Sequence, residues 1–139
     1  MPLSRSPQQW GQGIVKKAKI MIVEDEAIAA MNLQMLCERW GYAACPPVSS
    51  AREAMAVADR ERPDLVLMDI GIRGGTDGIE IARAIHSRLG PTSFIFMSGY
   101  ADDDVRERAS AVGSFSYLVK PLDFRKLKKL IDSLLAGKK

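Results

Sequence analysis

Cysteine is scarce in this chain of 139 residues, and the two present, Cys37 and Cys45, do not share the close spacing of a zinc ribbon or a redox pair. That excludes a disulfide framework and a cysteine metal site, and leaves two reduced thiols packed as small hydrophobes. No apolar block near the N-terminus is long enough for a signal peptide, and no run elsewhere could span a bilayer. The expectation is a cytoplasmic chain with no membrane partner. Charge of one sign is also lacking, with a net of only +3. The excess sits at the two ends, in Lys16, Lys17 and Lys19 and then Arg125, Lys126, Lys128, Lys129, Lys138 and Lys139. No aromatic interleaving or nucleic-acid motif accompanies it, so these read as solvated faces and no nucleic acid is expected as a partner. There is no internal repeat, and the apolar share of 47% and charged share of 27% point to neither disorder nor a fibre.

The length suits one compact domain with its own core. Residues 1–18 carry Pro2, Ser4, Ser6, Pro7, Gly11 and Gly13 with little periodicity, and read as a flexible leader or cloning remnant around a lone Trp10. From Lys19 onward short apolar runs alternate with helical patterns, the signature of βαβ units with right-handed crossovers. Strands are predicted near 19–23, 42–45, 65–69, 93–97 and 116–119. The first helix, about Ala27 to Trp40, places Ile28, Met31, Met35 and Leu36 on its apolar face and is stopped by Gly41. Ser50 with Glu53 reads as a capping box, Asp77 with Glu80 caps the third helix, and Asp102, Asp103 and Asp104 suit the positive end of the fourth. Asp123 caps the last helix, whose apolar positions are Phe124, Leu127, Leu130, Ile131, Leu134 and Leu135.

The polar residues that follow each apolar run carry the chemistry. Glu24 and Asp25 follow Ile20–Val23, Asp69 follows Leu65–Met68, Ser98 follows Phe94–Met97, and Lys120 follows Tyr117–Val119. In a parallel α/β sheet the carboxyl ends of the strands form the ligand crevice, so these side chains should meet. Crowded carboxylates suit a hard divalent cation, and a cation with a lysine neutralises a phosphoryl group. Taken one at a time, each has an ordinary reading: helix-start acids, a surface lysine, a capping hydroxyl. His86, the only histidine, follows Ile85 in the third helix and reads as structural or exposed rather than as a phosphodonor.

Taken together, the segments IMIVEDE at 20–26, LVLMDI at 65–70, DGIE at 77–80, FIFMSGY at 94–100 and YLVKP at 117–121 resemble the receiver domain of two-component response regulators. The resemblance covers about residues 18–137, so the receiver is placed at 19–137 with no output domain. It implies an α/β fold, a (βα)₅ doubly wound parallel five-stranded sheet in the flavodoxin-like strand order 2-1-3-4-5. It implies Asp69 as phosphoacceptor, Asp25 and Asp69 as direct Mg²⁺ ligands, Glu24 as a ligand through water and Gly71 through its backbone carbonyl, with Mn²⁺ as the substitute metal. Ser98 matches the switch hydroxyl, Tyr117 the aromatic that turns with it, and Lys120 the ammonium that binds the phosphoryl oxygens, with a cis bond between Lys120 and Pro121. The implied partners are a sensor histidine kinase or histidine phosphotransfer protein and an unidentified downstream protein, with a homodimer through the fourth helix, fifth strand and fifth helix as a further expectation.

The departures from the family pattern are specific. Ser98 stands where many relatives have threonine. Gly99 leaves the acceptor pocket open to small donors, and Tyr100 is expected to shield Asp69 from attacking water. Arg73, Gly74, Gly75 and Thr76 replace a proline-containing stretch, giving a mobile loop near the kinase-docking surface. Competing readings are weaker. A phosphatase of the haloacid dehalogenase type needs a second acid where this chain has Gly71, and the acids at 24–26 would repel a flavin phosphate. A degenerate docking module would typically have lost an acid or the lysine.

Overall fold

The computed structural model describes residues 17–71, 77–99, 103–112 and 115–136. Trp10, Arg73, Gly74, Gly75, Thr76 and Tyr100 lie outside these, and so do the expectations attached to them. The described elements run β1 Lys19–Val23, α1 Ala27–Arg39, β2 Ala43–Ala44, α2 Ala51–Glu61, β3 Leu65–Asp69, α3 Gly78–Leu89, β4 Ser93–Ser98, α4 Asp103–Ser110, β5 Phe115–Val119 and α5 Phe124–Leu135. The strands form one five-stranded sheet in the order β2-β1-β3-β4-β5, every neighbouring pair parallel. The doubly wound architecture is therefore the one expected.

Strand alternation divides the core into two layers. Met21, Val23, Val66, Met68, Phe94 and Phe96 face α2 and α3, where Val57, Ile79 and Ile85 meet them. Ile20, Ile22, Leu65, Leu67, Ile95 and Met97 face the other way, against Leu33 and Cys37 of α1 and Leu127, Ile131 and Leu135 of α5. β3 and β4 are buried throughout, as their unbroken apolar runs require of central strands.

Caps fix where the helices begin. The Asp77 carboxylate accepts from the Glu80 N–H at 3.0 Å, and Asp123 accepts from Arg125 and Lys126. Ser50 Oγ accepts from the Glu53 N–H at 3.2 Å, while the Glu53 carboxylate reaches back to the Ser49 N–H, one residue earlier than the reciprocal box expects. α4 begins with the acids Asp103 and Asp104. Cys37 and Cys45 are free and buried, and burial pushes the Cys37 thiol up to about 12.

The first helix departs from its predicted orientation. α1 buries Ala30, Leu33 and Cys37 and leaves Leu36 half-buried, whereas Ile28, Met31 and Met35 are 84%, 60% and 54% exposed. The apolar residues on α1 are spread around the cylinder, so periodicity admits two faces, and small Ala30 and Cys37 allow the close approach to the sheet. An apolar stripe is left on the outside. Among the described residues, no helix is long and apolar enough to cross a membrane.

Candidate functional site

Backbone pairing brings the strand ends to one level. Val23 pairs with Met68, Asp69 with Met97 and Ser98 with Val119, so the residues just beyond them line one edge of the sheet. The Lys120 N–H donates to the Ser98 carbonyl at 2.6 Å, the Ile70 N–H to the Met97 carbonyl at 3.0 Å, and the Glu24 N–H to the Val48 carbonyl at 3.0 Å. The loops that carry the polar side chains are thus extensions of the ladder. The Lys120–Pro121 peptide is cis.

Lys120 Nζ lies 3.2 Å from Glu24 Oε1 and 3.3 Å from Asp69 Oδ2, donating to both. The Glu24 side chain is 1% exposed and that of Asp69 8%. The other oxygens are engaged too, Glu24 Oε2 by the Glu26 N–H and Asp69 Oδ1 by the Gly71 N–H, each at 3.0 Å. Burial, with the neighbouring Asp69 charge, holds the Glu24 carboxyl above its ordinary value, against the pull of the Glu26 N–H and Lys120. Burial also works to lower the Lys120 ammonium, but the Asp69 and Glu24 carboxylates outweigh it and hold it above its usual range.

Asp25, half-buried, completes the acid cluster: one oxygen each of Glu24, Asp25 and Asp69 lies within 4.8 Å of the others. An all-oxygen set of carboxylates fits Mg²⁺ or another hard cation rather than a soft metal. One ammonium does not neutralise three carboxylates, so the site carries a formal excess of negative charge that a divalent ion would cancel. Ser98 is buried at the end of β4, where it pairs with Val119, and Tyr117 is half-buried on β5, paired with Phe96 of the neighbouring strand. The Arg106 guanidinium lies over the Tyr117 ring, 5.0 Å from its centroid.

Gly78 has a structural role that its motif alone did not disclose. Its N–H donates to the Ile70 carbonyl at 3.0 Å, and an added Cβ would lie 2.2 Å from the Asp69 carbonyl oxygen. Only glycine lets the first turn of α3 seat against the Asp69 backbone. A glycine opening a helix, where alanine is the better helix former, was the signal in the sequence. His86 is half-buried on α3, and its Nδ1 has no hydrogen-bond partner.

Comparison with known proteins agrees with this geometry. The response regulator receiver domain profile matches residues 20–132, and the chain belongs to that family. The transcriptional regulatory protein PdtaR of Mycobacterium tuberculosis is 33% identical over 115 residues, covering 82% of this chain and 55% of that protein. The receiver domain of a modulated diguanylate cyclase from Desulfovibrio desulfuricans G20 superposes with a TM-score of 0.78 at 31% identity, over 88% of this chain and 97% of that one. The chemotaxis protein CheY4 of Vibrio cholerae shares the fold, with a TM-score of 0.79 at 24% identity over 86% of this chain and all of that one (100%). The chain spans about half the length of curated relatives such as PdtaR (55%) and ResD of Bacillus subtilis (48%). It is a receiver domain of the two-component signalling class.

Proposed function

We propose that Asp69 accepts a phosphoryl group from a phosphohistidine on a sensor kinase or phosphotransfer protein, with Mg²⁺ bound, and that the resulting conformational change is read by another protein. The observation that carries this reading is the Lys120 ammonium bridging Asp69 and Glu24 beside Asp25, a cation poised on the acceptor within an acid cluster.

In the proposed reaction an Asp69 carboxylate oxygen attacks phosphorus in line. The phosphorus–nitrogen bond breaks, its electron pair stays on the imidazole, and an acyl phosphate forms. Mg²⁺, held by Asp25, Asp69 and the Gly71 carbonyl with Glu24 reaching it through water, would supply positive charge against the phosphoryl oxygens. Lys120, freed from part of its bond to Asp69, turns its charge to a phosphoryl oxygen, and Ser98 donates its hydroxyl to another. Hydrolysis reverses the change: water attacks phosphorus, and the carboxylate and inorganic phosphate leave.

The exposed stripe of Ile28, Met31 and Met35 supports α1 as the docking face for the phosphodonor. An open groove of about 610 Å³ runs along it, and a second of about 180 Å³, lined in part by Lys120, Pro121 and Phe124, continues toward the acceptor. Exposed apolar surface of this kind fits the side of a helical partner. The acids Asp103, Asp104 and Glu107 on α4 and the bases Arg125, Lys126 and Lys129 on α5 favour a second, weaker contact, a homodimer through α4, β5 and α5. The complete set of acids, hydroxyl and lysine weighs against a module that only docks.

The test is intact mass after incubation with Mg²⁺ and acetyl phosphate. The expected result is one added phosphoryl mass that requires Mg²⁺ and is absent in Asp69→Asn. Labelling of Asp69→Asn equal to that of the wild type would refute the assignment.

A further inference from the structure

α4 is anchored unlike the other helices. Of its eight residues only Ala109 is buried, whereas α5 buries Leu127, Ile131 and Leu135. Val105 packs against the core beside Ala109 and Val112 is buried just past the helix, a thin apolar contact that leaves polar interactions a large share in setting the position of α4. Two arginines, two residues apart and so on roughly opposite sides of the helix, supply them. Arg108 Nη2 donates to Asp77 Oδ2 at 2.8 Å and lies 3.4 Å from Glu80 Oε2, while Arg106 covers the Tyr117 ring. One arginine therefore ties α4 to the start of α3, and the other ties it to the aromatic on β5.

Both attachments sit one step from the acceptor. Asp77 caps α3 and immediately precedes Gly78, which is seated against the Asp69 backbone. Tyr117 precedes Lys120 by three residues on the strand whose end carries that ammonium. A shift of either the acceptor loop or the Tyr117 ring is felt by α4 through a single arginine.

We propose that Arg108 and Arg106 are positioning residues that latch α4 to α3 and to Tyr117 in the unphosphorylated form, so that the phosphorylated arrangement forms only as the latch gives way. The inference rests on the reading that Asp69 is the acceptor. Contacts present in one state and absent in the other set the population of the second. Loss of the latch raises that population, and the apparent affinity for any ligand that selects it rises by the same factor. For exposed pairs and a surface cation–π contact the factor is about two- to fivefold per arginine.

The experiment titrates the full chain with beryllium fluoride in saturating Mg²⁺, comparing wild type, Arg108→Gln, Arg108→Lys, Arg106→Ala, Asp77→Asn and Arg108→Gln/Asp77→Asn. Asparagine keeps the helix cap while removing the charge that Arg108 meets. The expected result is affinity about two- to fivefold tighter in Arg108→Gln, Asp77→Asn and Arg106→Ala. Arg108→Lys stays near wild type, Mg²⁺ affinity is unchanged, and the double variant gains no more than either single. Affinities equal to wild type in Arg108→Gln and Arg106→Ala, or additive gains in the double variant, would overturn the latch. Hydrogen exchange over residues 103–110 is the independent arm. If the wild type binds Mg²⁺ but not beryllium fluoride, the acceptor reading fails. Faster exchange in Arg108→Gln then still supports the tether, and unchanged exchange overturns it.

Discussion

A Cβ placed on Gly78 would lie 2.2 Å from the carbonyl oxygen of Asp69, so the first turn of α3 and the end of β3 share a contact that no other residue can occupy without movement. The same Cβ would meet Met68 Cγ at 2.9 Å, which closes the alternative of a small sideways shift. The seating of α3 and the placement of Asp69 therefore depend on one missing methyl group.

Gly78→Ala is expected to destabilise the domain by about 1–3 kcal/mol, the range for overpacking a close-packed interior. It should also slow phosphorylation by acetyl phosphate more than its fraction unfolded explains. Denaturant melts beside initial labelling rates check this. A variant with unchanged stability and rate would show that α3 can retreat without disturbing Asp69.

The two faces of α1 should respond in opposite ways. Leu33→Ala removes a buried side chain and is expected to cost about 2–5 kcal/mol, whereas Met31→Glu alters an exposed position and should stay within about 0.5 kcal/mol. If the stripe is the donor face, Met31→Glu lowers transfer from a phosphohistidine protein several-fold and leaves labelling by acetyl phosphate at the wild-type rate. Equal loss with both donors would place the effect at the acceptor instead.

Tyr42 and Asp132 give the stability a pH signature at both extremes. The Tyr42 hydroxyl donates to the Asp132 carboxylate, which joins the α1–β2 connection to α5. Burial and that carboxylate push Tyr42 up to about 12, and the Lys128 ammonium with the tyrosine hydroxyl holds Asp132 below its ordinary 3.8. The tyrosine's contribution is complete below the unfolded value near 10 and is lost as pH rises through about 12. The aspartate's contribution is present above 3.8 and is lost as pH falls through its lowered folded value. The stability difference between wild type and Tyr42→Phe should therefore be flat from about pH 5 to 9 and narrow beyond both ends. A difference independent of pH would show that the hydrogen bond contributes nothing through ionisation.

The sheet was legible because its central strands are unbroken apolar runs, each ending at a polar residue. Those endings also disclosed Glu24, Asp25, Asp69, Ser98 and Lys120, which the pairing register brings to one edge. Caps at Ser50, Asp77 and Asp123 followed from local chemistry that acts over three residues. The burial of α1 was not legible, since Ile28, Met31 and Met35 keep helical spacing as well as Ala30, Leu33 and Cys37 do. Periodicity measures an apolar face but does not say whether the sheet or a partner covers it. Gly78, Arg106 and Arg108 were missed for a related reason. Their roles are contacts with residues distant in sequence, visible only once α3 and α4 are set beside β3 and β5.

We propose Asp69 as the residue phosphorylated. The most direct measurement is borohydride reduction of the Mg²⁺- and acetyl phosphate-treated protein, followed by peptide mass spectrometry. Reduction converts an aspartyl phosphate to homoserine and marks the position that carried it. Homoserine is expected at position 69 and at no other aspartate, with none formed when Mg²⁺ is omitted. Homoserine at Asp25 or another acid, or none at position 69 in protein whose intact mass shows the added phosphoryl group, would contradict it.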